Sequence, residues 1–92
     1  MINKDQNFRL SDEVLSQKID GESILLDMKS ENYFGLNDVG SHVLEMLQAG
    51  SSLKKLTDHL LTIYNVKEKQ LSTDIAELLQ QLLDAKLIVP YS

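Results

Sequence analysis

Cysteine is absent from this 92-residue chain, which excludes disulfides, thiolate metal sites and thiol nucleophiles together. Tryptophan is absent too, and proline occurs once, at Pro90. The four glycines are scattered single residues, so there is no glycine-rich loop to cradle a phosphate. Arginine occurs only at Arg9 and the net charge is −5, a poor match for nucleic acid, whose phosphates call for clustered Lys and Arg. Lys54-Lys55 and Lys67/Lys69 are small clusters of the kind that solvated helix faces carry. The longest apolar runs, Ile24-Leu25-Leu26 and Leu87-Ile88-Val89, fall far short of the roughly 20 residues a spanning helix needs. The first residues lack the apolar stretch of a secretory signal, so no membrane role and a cytoplasmic location are expected.

What is present is ordinary globular composition, 42% hydrophobic and 25% charged, in a length that suits one compact core. Residues 1–12 are polar with isolated Phe8 and Leu10, and read as a flexible arm or short edge segment. From Val14 the pattern becomes strand-like, with runs at 14–19 and 22–28 separated by Asp20-Gly21, a pair that readily supplies the positive φ angles of a tight hairpin turn. Ile24, Leu26 and Met28 fall on one face of the second run. A polar turn through Lys29, Ser30, Glu31 and Asn32 leads to a short third strand, Tyr33-Phe34-Gly35-Leu36, completing a meander. Gly35 either marks a bulge or lets another backbone approach closely.

Asn37 followed by Asp38 suits a helix start, since an Asn side chain caps free N–H groups and a carboxylate complements the helix dipole. Val39, Val43, Leu44 and Leu47 form the stripe of this helix and Gly50 stops it. Ser51-Ser52 caps a second helix bearing Leu53, Leu56, Leu60 and Ile63/Tyr64, closed by Asn65. A third helix over residues 67–85 carries Leu71, Ile75, Leu78, Leu79, Leu82 and Leu83. These cover an arc of roughly 140°, wider than the stripe of about 100° that one core requires, which leaves room for a second apolar contact surface. Leu87-Ile88-Val89 then reads as an extended tail stopped by Pro90, with 90–92 beyond it. The order predicts an α+β domain of winged helix-turn-helix type, a three-stranded antiparallel sheet followed by three helices, with an outer strand of the meander open to a partner.

Catalytic chemistry finds no constellation. His42 and His59 lie on different predicted helices without metal-ligand spacing, and the pairs Asp12/Glu13 and Asp74/Glu77 have the character of solvated charges.

Ile24-Leu25-Leu26-Asp27, Tyr33-Phe34-Gly35-Leu36-Asn37-Asp38-Val39-Gly40 and the helix 43–50 ending in Gly50 resemble the PqqD-like pattern of a strand, a "Tyr-Phe-x-Leu-Asn" step and a first helix ending in glycine. Residues 56–64 fit its second helix, and Leu71, Asp74-Ile75, Leu78-Leu79 and Leu82 follow the rhythm of its third. The resemblance covers residues 13–89, and its "Leu-Leu-Asp … Tyr-Phe-Gly-Leu-Asn" form is similar to the stand-alone recognition proteins of lasso-peptide clusters. Two residues depart from the pattern. Lys86 stands where the family often has glycine, which bears on where the third helix ends, and Met46 stands near a frequent aromatic.

The resemblance implies a recognition element for ribosomally synthesised, post-translationally modified peptides (RiPPs), without catalysis or cofactor. It would capture the leader of a precursor peptide as an added strand beside the third strand, in a cleft against the third helix. The implied edge is Glu31, Asn32, Tyr33, Phe34, Gly35 and Leu36, and the implied cleft wall is Asp74, Ile75, Leu78, Gln81 and Leu82. From their place in the helix, Ile75 and Leu82 favour the core. The implied partners are a leader peptidase and a macrocycle-forming enzyme acting in trans, for lasso peptides or another RiPP pathway. A monomer is expected, with self-pairing of the open edge into a dimer as the alternative. The competing function is a winged-helix DNA-binding regulator, which the charge balance of residues 67–86 disfavours: Lys67, Lys69 and Lys86 against Glu68, Asp74, Glu77 and Asp84 give −1. A small carboxylate- or His59-based enzyme is the other.

Overall fold

The computed structural model describes residues 2–20 and 22–91. Its elements run β1 (Asn7–Leu10), β2 (Val14–Ile19), β3 (Glu22–Asp27), β4 (Tyr33–Leu36), α1 (Asp38–Ala49), β5 (Ser51–Ser52), α2 (Leu53–Leu61), α3 (Glu68–Asp84) and β6 (Ile88–Tyr91). The architecture is α+β, and the expected meander is the sheet β2-β3-β4, antiparallel throughout. Ile19 pairs with Glu22 across the hairpin and Asp20 has φ 51, the positive angle the first central residue of such a turn requires; Gly21 lies outside the described residues.

A second antiparallel sheet, of order β5-β1-β6, was not expected from the sequence. It corrects the flexible-arm reading of residues 1–12. Asn7–Leu10 is the central strand of this sheet, paired with Ser51–Ser52 on one side and Ile88–Tyr91 on the other, and Phe8 is 3% exposed. A strand hydrogen-bonded on both edges, with Phe8 in the core and Leu10 packed partly buried against it, is fixed by burial and ladder together. The tail is corrected likewise, because β6 runs through Pro90 to Tyr91. Ser11 N–H donates to the Leu87 carbonyl at 3.0 Å, so by the antiparallel alternation Phe8 and Pro90 form a non-hydrogen-bonded pair. Proline there faces away from β1 on an edge strand and removes no ladder bond.

The helices follow their apolar spacing. Asn37 caps α1, its side-chain oxygen accepting from Gly40 N–H at 2.9 Å, and Ser52 caps α2 through Lys55 N–H. Contrary to the expected run to Asn65, α2 ends at Leu61: Ile63 N–H bonds the Leu60 carbonyl, and the Thr62 hydroxyl bonds the His59 carbonyl at 2.6 Å, tightening the last turn. Helix α3 lies within one residue of expectation at each end.

Val43 and Leu47 of α1, Leu56 and Leu60 of α2, and Ile75, Leu79 and Leu82 of α3 meet Leu25 of β3 in a core where each is at most 1% exposed. Burying each such side chain is worth about 1.5–3 kcal/mol relative to leaving it in water. Ile24, Leu26 and Met28 share one face as expected, but it is the solvent side of the meander. The core side is taken by Ser23 and Leu25, both buried.

Candidate functional site

Strand β4 is the outer strand of the meander opposite β2, and its ladder decides which of its backbone groups are free. Asp27 N–H donates to the Asn32 carbonyl at 2.8 Å, and Leu25 and Ser23 lie opposite Phe34 and Leu36. Antiparallel pairing alternates, so Asn32, Phe34 and Leu36 bond inward to β3, while the N–H and C=O of Tyr33 and Gly35 point outward. No Pro and no charged side chain guards this edge. By contrast, β6 is guarded by Pro90, β2 carries Lys18, and β5 is only two residues long. An ideal Cβ built on Gly35 meets nothing within 4 Å, so the space over the middle of β4 is open.

The turn that sets up this strand is held by Asp27. Its carboxylate accepts from Lys29 N–H at 3.0 Å and from the Ser30 hydroxyl at 2.9 Å, and Ser30 Oγ accepts in turn from Asn32 N–H. The Lys29 N–H, then the Ser30 hydroxyl, holds the Asp27 carboxyl below its ordinary pKa. Glu31 takes φ 63 within the turn.

Between the end of β4 and α3 runs a groove of about 570 Å³. One wall is Phe34, Gly35, Leu36 and the α1 entry at Asn37, Val39 and Gly40; the α2–α3 connection closes one end with Tyr64 and Val66. Gly40 lets the first turn of α1 lie close against β4, since a Cβ there would be 3.0 Å from the Leu36 Cβ. The other wall is α3, which contributes apolar Leu71, Ile75 and Leu78 beside a polar line of Gln70, Asp74, Glu77 and Gln81. Those four are spaced 4, 3 and 4 residues apart, one flank of a helix. Gln70 Nε2 donates to Asp74 Oδ1 at 2.9 Å. An outward-facing strand edge beside a half-apolar groove can hold an extended peptide: main-chain bonds to the edge, alternate side chains into the groove.

Of the residues singled out from the sequence, Phe34, Gly35, Leu36, Asp74, Ile75, Leu78 and Gln81 line the groove together. Ile75 is 1% exposed, so it forms the floor while belonging to the core. Leu82 is fully buried in the core and outside the groove. Glu31 and Asn32 belong to the turn, and Tyr33 offers its backbone to the edge while its 76%-exposed ring lies on the outer face of the sheet. Sequence reasoning missed Asn37, Val39, Gly40, Tyr64, Val66, Gln70, Leu71 and Glu77 as lining residues. For Gln70 and Glu77 the signal was available, because they continue the Asp74/Gln81 flank at helical spacing. For Tyr64 and Val66 there was none, since the path of the α2–α3 connection is set by packing.

Among the described residues, no group of three His, Asp or Glu side chains is placed to hold a metal ion, and no helix is long and apolar enough to cross a membrane. The family model described as coenzyme PQQ synthesis protein D (PqqD) matches residues 22–88. The chain belongs to the PqqD family. This PqqD-like chain is similar to two solved structures. TbiB1, solved in complex with the TbiA(beta) leader peptide, superposes with a TM-score of 0.83 at 31% identity, over 91% of this chain and 98% of that one. Lasso peptide synthetase B1, complexed with the leader peptide, gives a TM-score of 0.81 at 30% identity, over 90% and 98%. No curated protein sequence matches the chain.

Proposed function

We propose that this PqqD-like protein is a RiPP recognition element that binds the leader segment of a ribosomally synthesised precursor peptide and presents it to maturation enzymes. The leader adds as a strand to β4, bonding the outward groups of Tyr33 and Gly35, and sets alternate side chains into the groove against α3. The observation that carries this reading is the combination of an unguarded strand edge with an adjoining groove of about 570 Å³. The two similar structures, each holding a leader peptide, support it. The proposal extends to a lasso-peptide pathway, supported by the similarity to lasso peptide synthetase B1, with a leader peptidase and a macrocycle-forming enzyme as partners in trans and no catalysis by this chain. A DNA-reading role for α3 fits less well, because Asp74 and Glu77 on its exposed flank would repel phosphate.

The test is a calorimetric or anisotropy titration with the leader segment of a precursor peptide encoded beside the gene. Saturable binding that weakens on changes at Tyr33 and Leu78 is the expected result. No binding by the folded protein, to leader or full precursor, overturns the proposal.

A further inference from the structure

The groove has a charge pattern that narrows what it accepts. Asp74 and Glu77 are the only ionisable side chains on its α3 wall, and no Lys or Arg lines it anywhere. None of the ion pairs among the described residues, Arg9–Asp12, Lys18–Glu45 and Lys54–Asp58, involves either carboxylate. Gln70 hydrogen-bonds Asp74 but leaves its charge uncompensated. The two exposed carboxylates form a polar rim on the α3 wall beside Leu78 and across the groove from Phe34, both of these apolar side chains being partly buried.

Resting on the leader-binding reading above, we infer that the leader presents a basic side chain, Lys or Arg, at a position facing α3, its aliphatic stem on Phe34 and Leu78 and its charged head at Asp74 and Glu77. Two observations made separately converge on this occupant. The ladder of β4 fixes which side chains of an added strand face α3, namely those opposite Phe34 and Leu36, because residues directly opposite one another share a face of the sheet. Across the groove from those positions lie an apolar surface and then carboxylates. Long basic side chains match that sequence of surfaces, since they bury their methylenes and keep the charge at the water boundary. An acidic side chain there would face two uncompensated negative charges, and a purely apolar one would leave the rim unused. Fixed charge of one sign also selects partners and steers encounter more than it adds raw affinity, so a basic leader would associate faster at low salt.

The experiment uses the fluorescein-labelled leader segment of the neighbouring precursor, a set in which each Lys and Arg is replaced in turn by Gln, and one peptide with the critical cation replaced by Glu. Each is titrated against the wild-type protein, Asp74→Asn/Glu77→Gln and Asp74→Lys/Glu77→Lys. Both positions are exposed, and circular dichroism checks that the variants fold. The expected result is one cation whose replacement by Gln weakens wild-type binding about three- to tenfold, with little further effect in the neutral double variant. The Glu-bearing peptide should then prefer the charge-reversed protein, and added salt should weaken both opposite-charge pairings, the wild-type one and the reversed one, while leaving the neutral combinations nearly unchanged. A leader that binds, loses affinity with Gly35→Val and yet is indifferent to all these charge changes overturns the inference while leaving the leader-binding reading intact. No binding of any leader peptide by folded protein overturns both.

Discussion

The backbone N–H of Leu87 donates to the Leu82 carbonyl at 2.9 Å, closing the end of α3 over Lys86, whose φ is 62 and whose own N–H bonds the Leu83 carbonyl at 3.0 Å. This is the paired 6→1 and 5→2 bonding by which many helices stop, with Leu82 and Leu87 buried against the core on either side. Its left-handed position is usually glycine, because a Cβ there costs about 1–2 kcal/mol.

Lys86→Gly should therefore stabilise the fold by about 0.5–1 kcal/mol, the relief of the left-handed strain less the extra freedom glycine has when unfolded. Lys86→Ala, which removes the charge and keeps the strain, should gain nothing. Urea unfolding of the three proteins compares the midpoints, and an equal gain in both variants would point to charge rather than backbone.

That same residue shows how far the sequence could be read. The family pattern marked Lys86 as standing in a glycine's place, yet the helix ends where apolar spacing put it, because the buried side chains on both sides hold the turn. The meander, the three helices and the caps at Asn37 and Ser52 were legible because each rests on local chemistry: period, turn residues and capping side chains. The sheet of β1, β5 and β6 was not, since its register joins Asn7 to Ser52 and Tyr91, residues far apart in the chain and with no local periodicity. The face of β3 was misleading for a related reason. Its alternating Ile24, Leu26 and Met28 look like a core set, but the single fully buried Leu25 anchors the strand and the others stay on the outer side. For the groove, the edge residues and Asp74, Leu78 and Gln81 came from the family resemblance carried onto these positions, while the end wall at Tyr64 and Val66 depended on where α2 stops.

Gly50 and Tyr91 are tied more tightly than any pattern suggested. Gly50 has φ 93, and a Cβ there would overlap the Tyr91 ring, reaching 2.7 Å from its Cζ. Gly50→Ala should destabilise the protein by about 2–4 kcal/mol, from overpacking and left-handed strain together. Adding Tyr91→Ala should recover the overpacking part only. A double-mutant cycle by thermal or urea unfolding checks this, and strict additivity would show that the ring simply moves away.

Asp27 makes the turn before β4 sensitive to acid. Its folded pKa is depressed by the Lys29 N–H and the Ser30 hydroxyl, so its contribution to stability is present above the unfolded carboxylate pKa. It is lost as pH falls through the lower folded value. Stability measured down through the acid range should fall less steeply in Asp27→Asn than in the wild type. Ser30→Ala should move the Asp27 carboxyl back toward its ordinary value, as read by NMR titration.

The outward N–H of Tyr33 distinguishes edge bonding from folding. Tyr33→Pro removes a donor that β3 does not use, so the fold should persist while leader affinity drops about two- to tenfold beyond that of Tyr33→Ala, the worth of one net hydrogen bond. Phe34→Pro removes a ladder bond to β3 and should destabilise the meander itself. Leader titrations alongside unfolding curves separate the two, and equal affinity in Tyr33→Pro and Tyr33→Ala would move the peptide off this edge.

Gly35 gives the sharpest separation of stability from binding. Nothing lies within 4 Å of a Cβ placed there, and valine favours the extended backbone that glycine weakens. Gly35→Val should therefore leave folding stability unchanged or raise it by up to about 1 kcal/mol. The added side chain stands on the outer face, beside the backbone groups an incoming strand must reach. With a peptide bonded to Tyr33 and Gly35, the branched side chain crowds the added strand's neighbouring residue, and affinity should fall about tenfold or more. A variant at least as stable as the wild type that binds the leader poorly would mean that the open space over β4 exists for a partner; one that binds the leader unchanged would show that the leader lies elsewhere.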